Sequence, residues 1–268
     1  MSLVLFLAMA ALCAAAMALV MTGAWVAQRR TGNTGWVDVC WSFGVGAVAC
    51  FGALLPLGGG APGWRQLAVA AMAAAWCLRL GGHIASRTRS VGDDPRYRAL
   101  IDEWGSDASR RMFWFLQAQA AIGIVLVLSI VLAARNPASG VRAQDVFGVF
   151  LFGAAVLGET IADRQLRIFG ADAAHQGKVC DTGLWRWSRH PNYFFEWLSW
   201  LSYPIIAIDF AGGHPLGWLA VAAPVSMYWV LVHVSGIPPL EQHMLRSRGD
   251  AFRAYQRRTS AFIPLPPR

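Results

Sequence analysis

Charge is scarce in this 268-residue chain: Asp, Glu, Lys and Arg make up 14% of it, against about 25% in a soluble globular protein. With 56% hydrophobic residues and a mean hydropathy of +0.42, the deficit excludes a disordered chain and argues against a single water-soluble core. Lysine is nearly missing. Lys178 is the one Lys, so almost all of the +8 net charge comes from Arg. That charge is scattered among short polar segments and forms no basic domain, which excludes nucleic acid as a partner. The five cysteines, Cys13, Cys40, Cys50, Cys77 and Cys180, form no C-x-x-C pair, and four fall in apolar runs. No zinc site, other metal site or disulfide framework is expected from them. They read as small buried hydrophobes. No G-x-G-x-x-G joins a strand to a helix, so no Rossmann domain is expected. Internal repeats, inverted pairs of broken helices and heptad arrays are also absent, which weakens a transporter reading.

What fills the chain instead is a series of apolar runs. Seven are legible, at 3–26, 37–57, 66–86, 113–133, 144–162, 193–210 and 216–235. The first is too long for a signal peptide's apolar core, and no Lys or Arg precedes it. The connecting segments alternate in charge. Those at 27–36, 87–112 and 163–192 and the tail after 235 hold 19 basic residues, whereas 58–65, 134–143 and 211–215 hold three. Arg79 alone lies inside a run. The positive-inside rule then predicts an all-α, polytopic protein of seven transmembrane helices, N-terminus outside and C-terminus cytoplasmic. The whole of 1–268 reads as one membrane domain, multi-pass in a bacterial inner (plasma) membrane with membrane lipids around it. The segments 87–112, 163–192 and 236–268 form its polar, cytoplasmic side. The outer segments are short and rich in Gly and Pro, as in Gly58-Gly59-Gly60-Ala61-Pro62-Gly63.

Ionisable side chains inside the runs are costly unless paired or hydrated, so each is a candidate site residue. They include Asp38, Arg79, His83, Glu159, Glu196, Asp209 and His233; Asp209 lies near the outer edge and reads as interfacial. Glu159, Asp163 and Arg167 recur at i, i+4, i+8 on one helical face. That face is either a salt-bridged helix end or a hydrogen-bonding wall for a polar ligand. The densest segment is 181–197, which packs Arg186, Arg189, His190, Asn192, Tyr193 and Glu196 around Pro191. Pro191 suits the first turn of a helix, and Ser188 or His190 is placed to cap it. The helix start then offers free amides and a positive dipole end to an anion. The tail, with Glu241, Arg246, Arg248, Asp250 and Tyr255, reads either as an amphipathic helix on the membrane face or as a lid over a ligand.

These segments together resemble the bacterial branch of the steroid 5α-reductase family, NADPH-dependent membrane reductases. The resemblance rests on Asp38-Val39-Cys40-Trp41, Arg79-Leu80-Gly81-Gly82-His83, Asp93–Tyr97, Glu159–Arg167, Asp181–Glu196 and the Glu241…Tyr255…Pro264 tail. It implies a seven-helix bundle that reduces a conjugated C=C bond in an apolar lipid or steroid-like substrate. It also implies NADPH contacts at Arg87, Arg89, Tyr97, Glu159, Asp163, Arg167, Lys178, Arg189, His190, Asn192, Tyr193, Glu196, Glu241, Arg248 and Tyr255. Steroid reductases polarise the carbonyl with a Gln-Glu pair and a Tyr. Here the Gln-Glu pair is missing, and Asp38, with His83 or Arg79, stands nearest those positions. Asp38 is then either a neutral donor to the carbonyl or half of an ion pair with Arg79 or a loop Arg. The Arg189-His190-Pro191-x-Tyr193 core is also similar to a piece of the isoprenylcysteine carboxyl methyltransferases, which bind S-adenosylmethionine. A methyltransferase, and a transporter or lipid-binding protein, are therefore the alternatives.

Overall fold

The computed structural model describes residues 2–57, 60–91 and 93–268; Gly58 and Gly59 of the outer segment lie outside the described residues. The described part is helical, with α1 (Leu3–Thr31), α2 (Gly35–Leu54), α3 (Trp64–Val91), α4 (Pro95–Trp104), α5 (Ala108–Ala134), α6 (Ala143–Ala171), α7 (Pro191–Ala207), α8 (Ala222–Trp229) and α9 (Ile237–Arg258). Among the described residues no strand forms beyond one isolated parallel bridge, Ser188 to Ser260. Among the described residues six helical stretches are long and apolar enough to cross a membrane: Leu3–Thr31, Gly35–Leu54, Trp64–Arg89, Arg96–Ala134, Ala143–Ala171 and Pro215–Arg258. The chain is a multi-pass integral membrane protein. The run expected at 193–210 is α7, whose 17 residues reach about 26 Å, slightly less than a hydrocarbon core of roughly 30 Å. The run at 216–235 is not one helix but a 3-10 turn at Pro215–Val221, then α8, then a π turn at Val230–Val234. The apolar part of that stretch ends before α9, which is polar.

The residues group into two compact units, Met1–Val141 with Tyr203–Ala222, and Arg142–Ser202 with Ala223–Arg268. In the first unit α2 is the hub, because its glycines let three helices come close. A Cβ on Gly44 would sit 2.4 Å from Val20 of α1, one on Gly46 2.3 Å from Cys77 of α3, and one on Gly52 2.7 Å from Val131 of α5. Small residues at contacts are how membrane helices gain van der Waals packing where no hydrophobic force draws them together. Gly46→Ala would overpack this centre at a cost of about 1–3 kcal/mol. One end of the unit is tied by arginine. Buried Arg65 donates to the carbonyls of Asn136, Ala138 and Gly140, and Arg135 to those of Gly52 and Leu55. Asp209, expected to be interfacial, accepts the backbone N–H groups of Ala211 and Gly213 in a turn.

In the second unit α6 and α7 pack closely at Gly158, where a Cβ would fall 2.5 Å from the Phe195 ring. As Pro191 suggests, α7 begins there, and Ser188 Oγ accepts the His190 N–H just ahead of it. The tail is the helix α9, broken at Gly249, whose φ of +52° belongs to the left-handed region that glycine tolerates.

Candidate functional site

Each unit carries one dense polar centre. In the first, Asp38 stands in the opening turn of α2. The 87–112 segment, expected as a loop, contains α4, whose start is fixed by Asp94: its Oδ1 accepts the Arg96 N–H, with Pro95 in the first turn. This cap aims the next two side chains at α2. Arg96 Nη2 reaches Asp38 Oδ2 at 2.5 Å and Asp94 Oδ2 at 2.9 Å, and the Tyr97 hydroxyl donates to Asp38 Oδ1 at 2.5 Å. From α5, Gln119 Nε2 donates to the Tyr97 oxygen at 2.8 Å, and the Gln119 carbonyl accepts the Trp41 indole N–H at 3.1 Å. Gln119 Oε1 is buried and has no partner among the described residues.

The surrounding acids brace α4. Burial works against ionised Asp94, but the hydrogen bonds and charge of Arg96 outweigh it and hold its carboxyl below the usual range. Asp93 is held down in the same direction, with the Thr34 hydroxyl and amide and Arg98 overcoming its burial. Both oxygens of Asp38 thus accept hydrogen bonds, and the cation seated on it is the loop residue Arg96. The hydroxyl at this centre is Tyr97, placed by sequence among the cofactor contacts. Arg79 is half-buried on α3, and His83, Arg87 and Arg89 are exposed on the same helix.

The second centre joins the loop before α7 to α9. Arg189 spends its whole fork inside the protein: Nε and Nη2 donate to Glu241, and Nη1 to the carbonyls of Gln256 and Thr259. Glu241 also receives Gln256 Nε2 at 2.7 Å and faces His190 Nε2 at 3.1 Å. Burial opposes its charge, but the His190, Arg189 and Gln256 hydrogen bonds win and hold its carboxyl at about 2. A carboxylate only accepts, so His190 Nε2 carries a proton toward Glu241, and in the neutral ring Nδ1 is then an acceptor. The His190 ring is 2% exposed, stacks on Tyr193 at 5.5 Å, and Nδ1 has no partner among the described residues. Arg248 Nε on α9 is likewise buried without one.

The other expected contacts of this unit divide. Asn192 Nδ2 donates to Asp163 Oδ1 at 3.1 Å, joining α7 to α6. Glu159 and Glu196 are buried, and Glu196 Oε1 accepts the Trp200 indole N–H at 2.9 Å. The Tyr255 hydroxyl is a buried tie to the Trp185 carbonyl. Arg167 and Lys178 are exposed. Sequence reading offered Asp38 a loop Arg without singling out Arg96, and passed over Gln119 and Gln256. For Gln119 a signal existed, since an amide inside an apolar run is itself costly. It also passed over the strap in which Arg189 N–H donates to the Ser260 carbonyl and Leu265 N–H to the Trp187 carbonyl. No motif marks that pairing.

Comparison with known proteins agrees with this picture at the level of the family. A stretch of 85 residues is 36% identical to an uncharacterised protein of Schizosaccharomyces pombe, covering 31% of this chain and 23% of that protein. This chain therefore matches less than a quarter of the relative's length. No solved structure matches. The model of a protein family of unknown function, DUF1295, matches residues 24–259, so the chain belongs to the DUF1295 family, which is related to the steroid 5α-reductases.

Proposed function

We propose that this protein is an NADPH-dependent reductase of a C=C bond conjugated to a carbonyl, acting on an apolar lipid or steroid-like substrate in a bacterial inner membrane. In this reading α7 is a seventh span, the N-terminus is outside, and the C-terminus and α9 are cytoplasmic. The observation that carries the proposal is the Tyr97 hydroxyl, which is buried and held between Asp38 and Gln119. When an enone is reduced at its β-carbon, negative charge gathers on the carbonyl oxygen, and a fixed O–H donor stabilises it. In this reading the single O–H that Tyr97 gives to Asp38 turns to the substrate carbonyl when that arrives, Arg96 stays paired with Asp38, and Gln119 holds the phenol oxygen from the other side. The proton finally needed at the α-carbon comes from water or from this network.

The second unit suits the cofactor. His190 Nδ1 offers an acceptor for an N–H or O–H of the ligand, and Arg248 Nε a donor. Exposed Arg164, Arg167, Lys178 and Arg186 suit its phosphates. Bound NADPH supplies the hydride, while the protein binds, orients and excludes water. Arg189 and Tyr255 serve in this reading as internal ties that shape the loop rather than as ligand contacts.

The test is a titration of the purified protein with NADPH, followed by fluorescence, alongside S-adenosylmethionine. Saturable NADPH binding that is weakened in His190→Gln supports the reading. Binding of S-adenosylmethionine alone would overturn it in favour of methyl transfer, and binding of neither would leave a non-enzymatic lipid carrier. Reporters fused to the two termini test the topology: both on one side would defeat seven spans.

A further inference from the structure

One face of α1 bears a stripe that the proposed reaction does not use. Leu19, Gly23, Val26 and Arg30 follow one another at spacings of four, three and four residues, which align on one helical face. Leu19 is 73% exposed, and a Cβ added to exposed Gly23 would meet nothing within 4 Å, so the stripe is notched in its middle. At its head Trp25 is pinned to α5: its indole N–H donates to the Ser109 carbonyl at 3.0 Å, and its ring meets Phe113 edge-on at 5.6 Å. Arg29 lies over the same indole, 4.7 Å from the ring centroid. Trp25, Val26, Arg29 and Arg30 line a concavity of about 240 Å³. Among the described residues neither Arg29 nor Arg30 has a carboxylate partner. From Arg30 to Leu19 the stripe descends about 16 Å, close to half of a hydrocarbon core of roughly 30 Å. That is the depth of one leaflet.

We propose that this face seats one anionic phospholipid, with its phosphodiester between Arg29 and Arg30 and an acyl chain laid in the Gly23 notch between Leu19 and Val26. A plain topological anchor needs only positive charge. It needs neither an indole fixed by a hydrogen bond, nor a guanidinium stacked on it, nor a notch beneath. Inorganic phosphate offers the same charge without the chain, and phosphatidylcholine the same chains without net charge, so these two separate the parts of the claim.

The experiment titrates the full-length protein in neutral detergent with phosphatidylglycerol, phosphatidylcholine or inorganic phosphate, reading retained lipid by native mass spectrometry and thermal unfolding in parallel. Phosphatidylglycerol is expected to be retained and to raise the unfolding temperature well above the effect of the other two. Removing both charges in Arg29→Gln/Arg30→Gln is expected to weaken it about 30-fold, each basic residue near a membrane surface being worth roughly five-fold. Gly23→Leu keeps every charge, sets its Cβ where nothing lies within 4 Å and fills the notch, so a several-fold loss there isolates the acyl seat and carries the test if the double variant fails to fold. Equal retention by wild type and both variants would overturn the proposal. So would stabilisation by phosphate or phosphatidylcholine equal to that by phosphatidylglycerol.

Discussion

The two polar centres are built from the same parts and finish differently. Each seats an Arg on a carboxylate from a distant helix and adds one ring. At Asp38 the ring is Tyr97, and its oxygen is saturated: it donates to Asp38, whose other oxygen takes Arg96, and accepts from Gln119, so the buried atom left over, Gln119 Oε1, lies beyond the ring. At Glu241 the ring is His190, and one nitrogen is left over. A ring with its hydrogen bonds filled is held in place, whereas one with an atom left over has room in its hydrogen bonding for something else. A buried polar atom without a partner costs about 1–3 kcal/mol, and a bound ligand removes that cost.

Breaking the anchor of the second centre should have the largest effect. Glu241→Ala strips the acceptor from Arg189, whose side chain is 11% exposed, and losing one member of such a buried pair costs about 3–5 kcal/mol. Chemical or thermal unfolding in detergent measures it. A loss under about 1 kcal/mol would mean that the pair is decorative. Next is Tyr97→Phe. If Tyr97 presents the donor, this change should cut NADPH-dependent turnover about 10²–10³-fold while lowering stability by only about 1 kcal/mol. Equal losses in turnover and stability would reduce Tyr97 to a brace. His190→Gln sharpens the contrast further. The amide keeps an N–H for Glu241 but lacks the second ring nitrogen, so NADPH affinity should fall about ten-fold, the size of one hydrogen bond, with the unfolding temperature little changed.

The smallest effect is in pH. Glu241, held at about 2, and Asp93 and Asp94, also held low, contribute stability that is fully present above their ordinary values near pH 4–4.5. That stability is lost as the pH falls through the folded values. Unfolding temperatures measured from pH 7 to pH 3 should therefore begin to drop below about pH 4.5. Glu241→Gln should flatten part of the decline. A decline that begins near neutrality would point to histidines instead.

The sequence made the helices legible because apolar runs of membrane length have few other uses, and Pro191 marked the start of α7 correctly. It also pointed to Asp38 as a polar group in an apolar run, and to Asp93–Tyr97 through the family resemblance. It did not reveal that they meet, because Arg96 and Asp38 are 58 residues apart and no periodicity links them. Periodicity likewise let 216–235 read as one helix. Only coordinates show the 3-10 turn, α8 and the π turn that share it. The Arg cluster at 186–189 read as a phosphate grip because an Arg fork suits phosphate. What decides its use is the number of donors already spent, and Arg189 has spent them on Glu241 and two carbonyls.

The strap of residues 260–265 along 187–189 has a consequence for how the protein is made. Arg189 N–H finds its acceptor on Ser260, and its guanidinium finds the Thr259 carbonyl, 70 residues later in the chain. A polypeptide emerges from the ribosome in order, and its parts fold as they become available. Until Glu241 is made the loop before α7 holds a buried-to-be cation with no acceptor, and until Thr259 and Ser260 follow, its backbone N–H and one arm of its guanidinium lack their partners. α1 to α5, by contrast, meet their hub at α2 early. The second unit is thus assembled by its last-made contact, so a ribosome stalled before residue 259 displays a loop that chaperones and proteases can still reach.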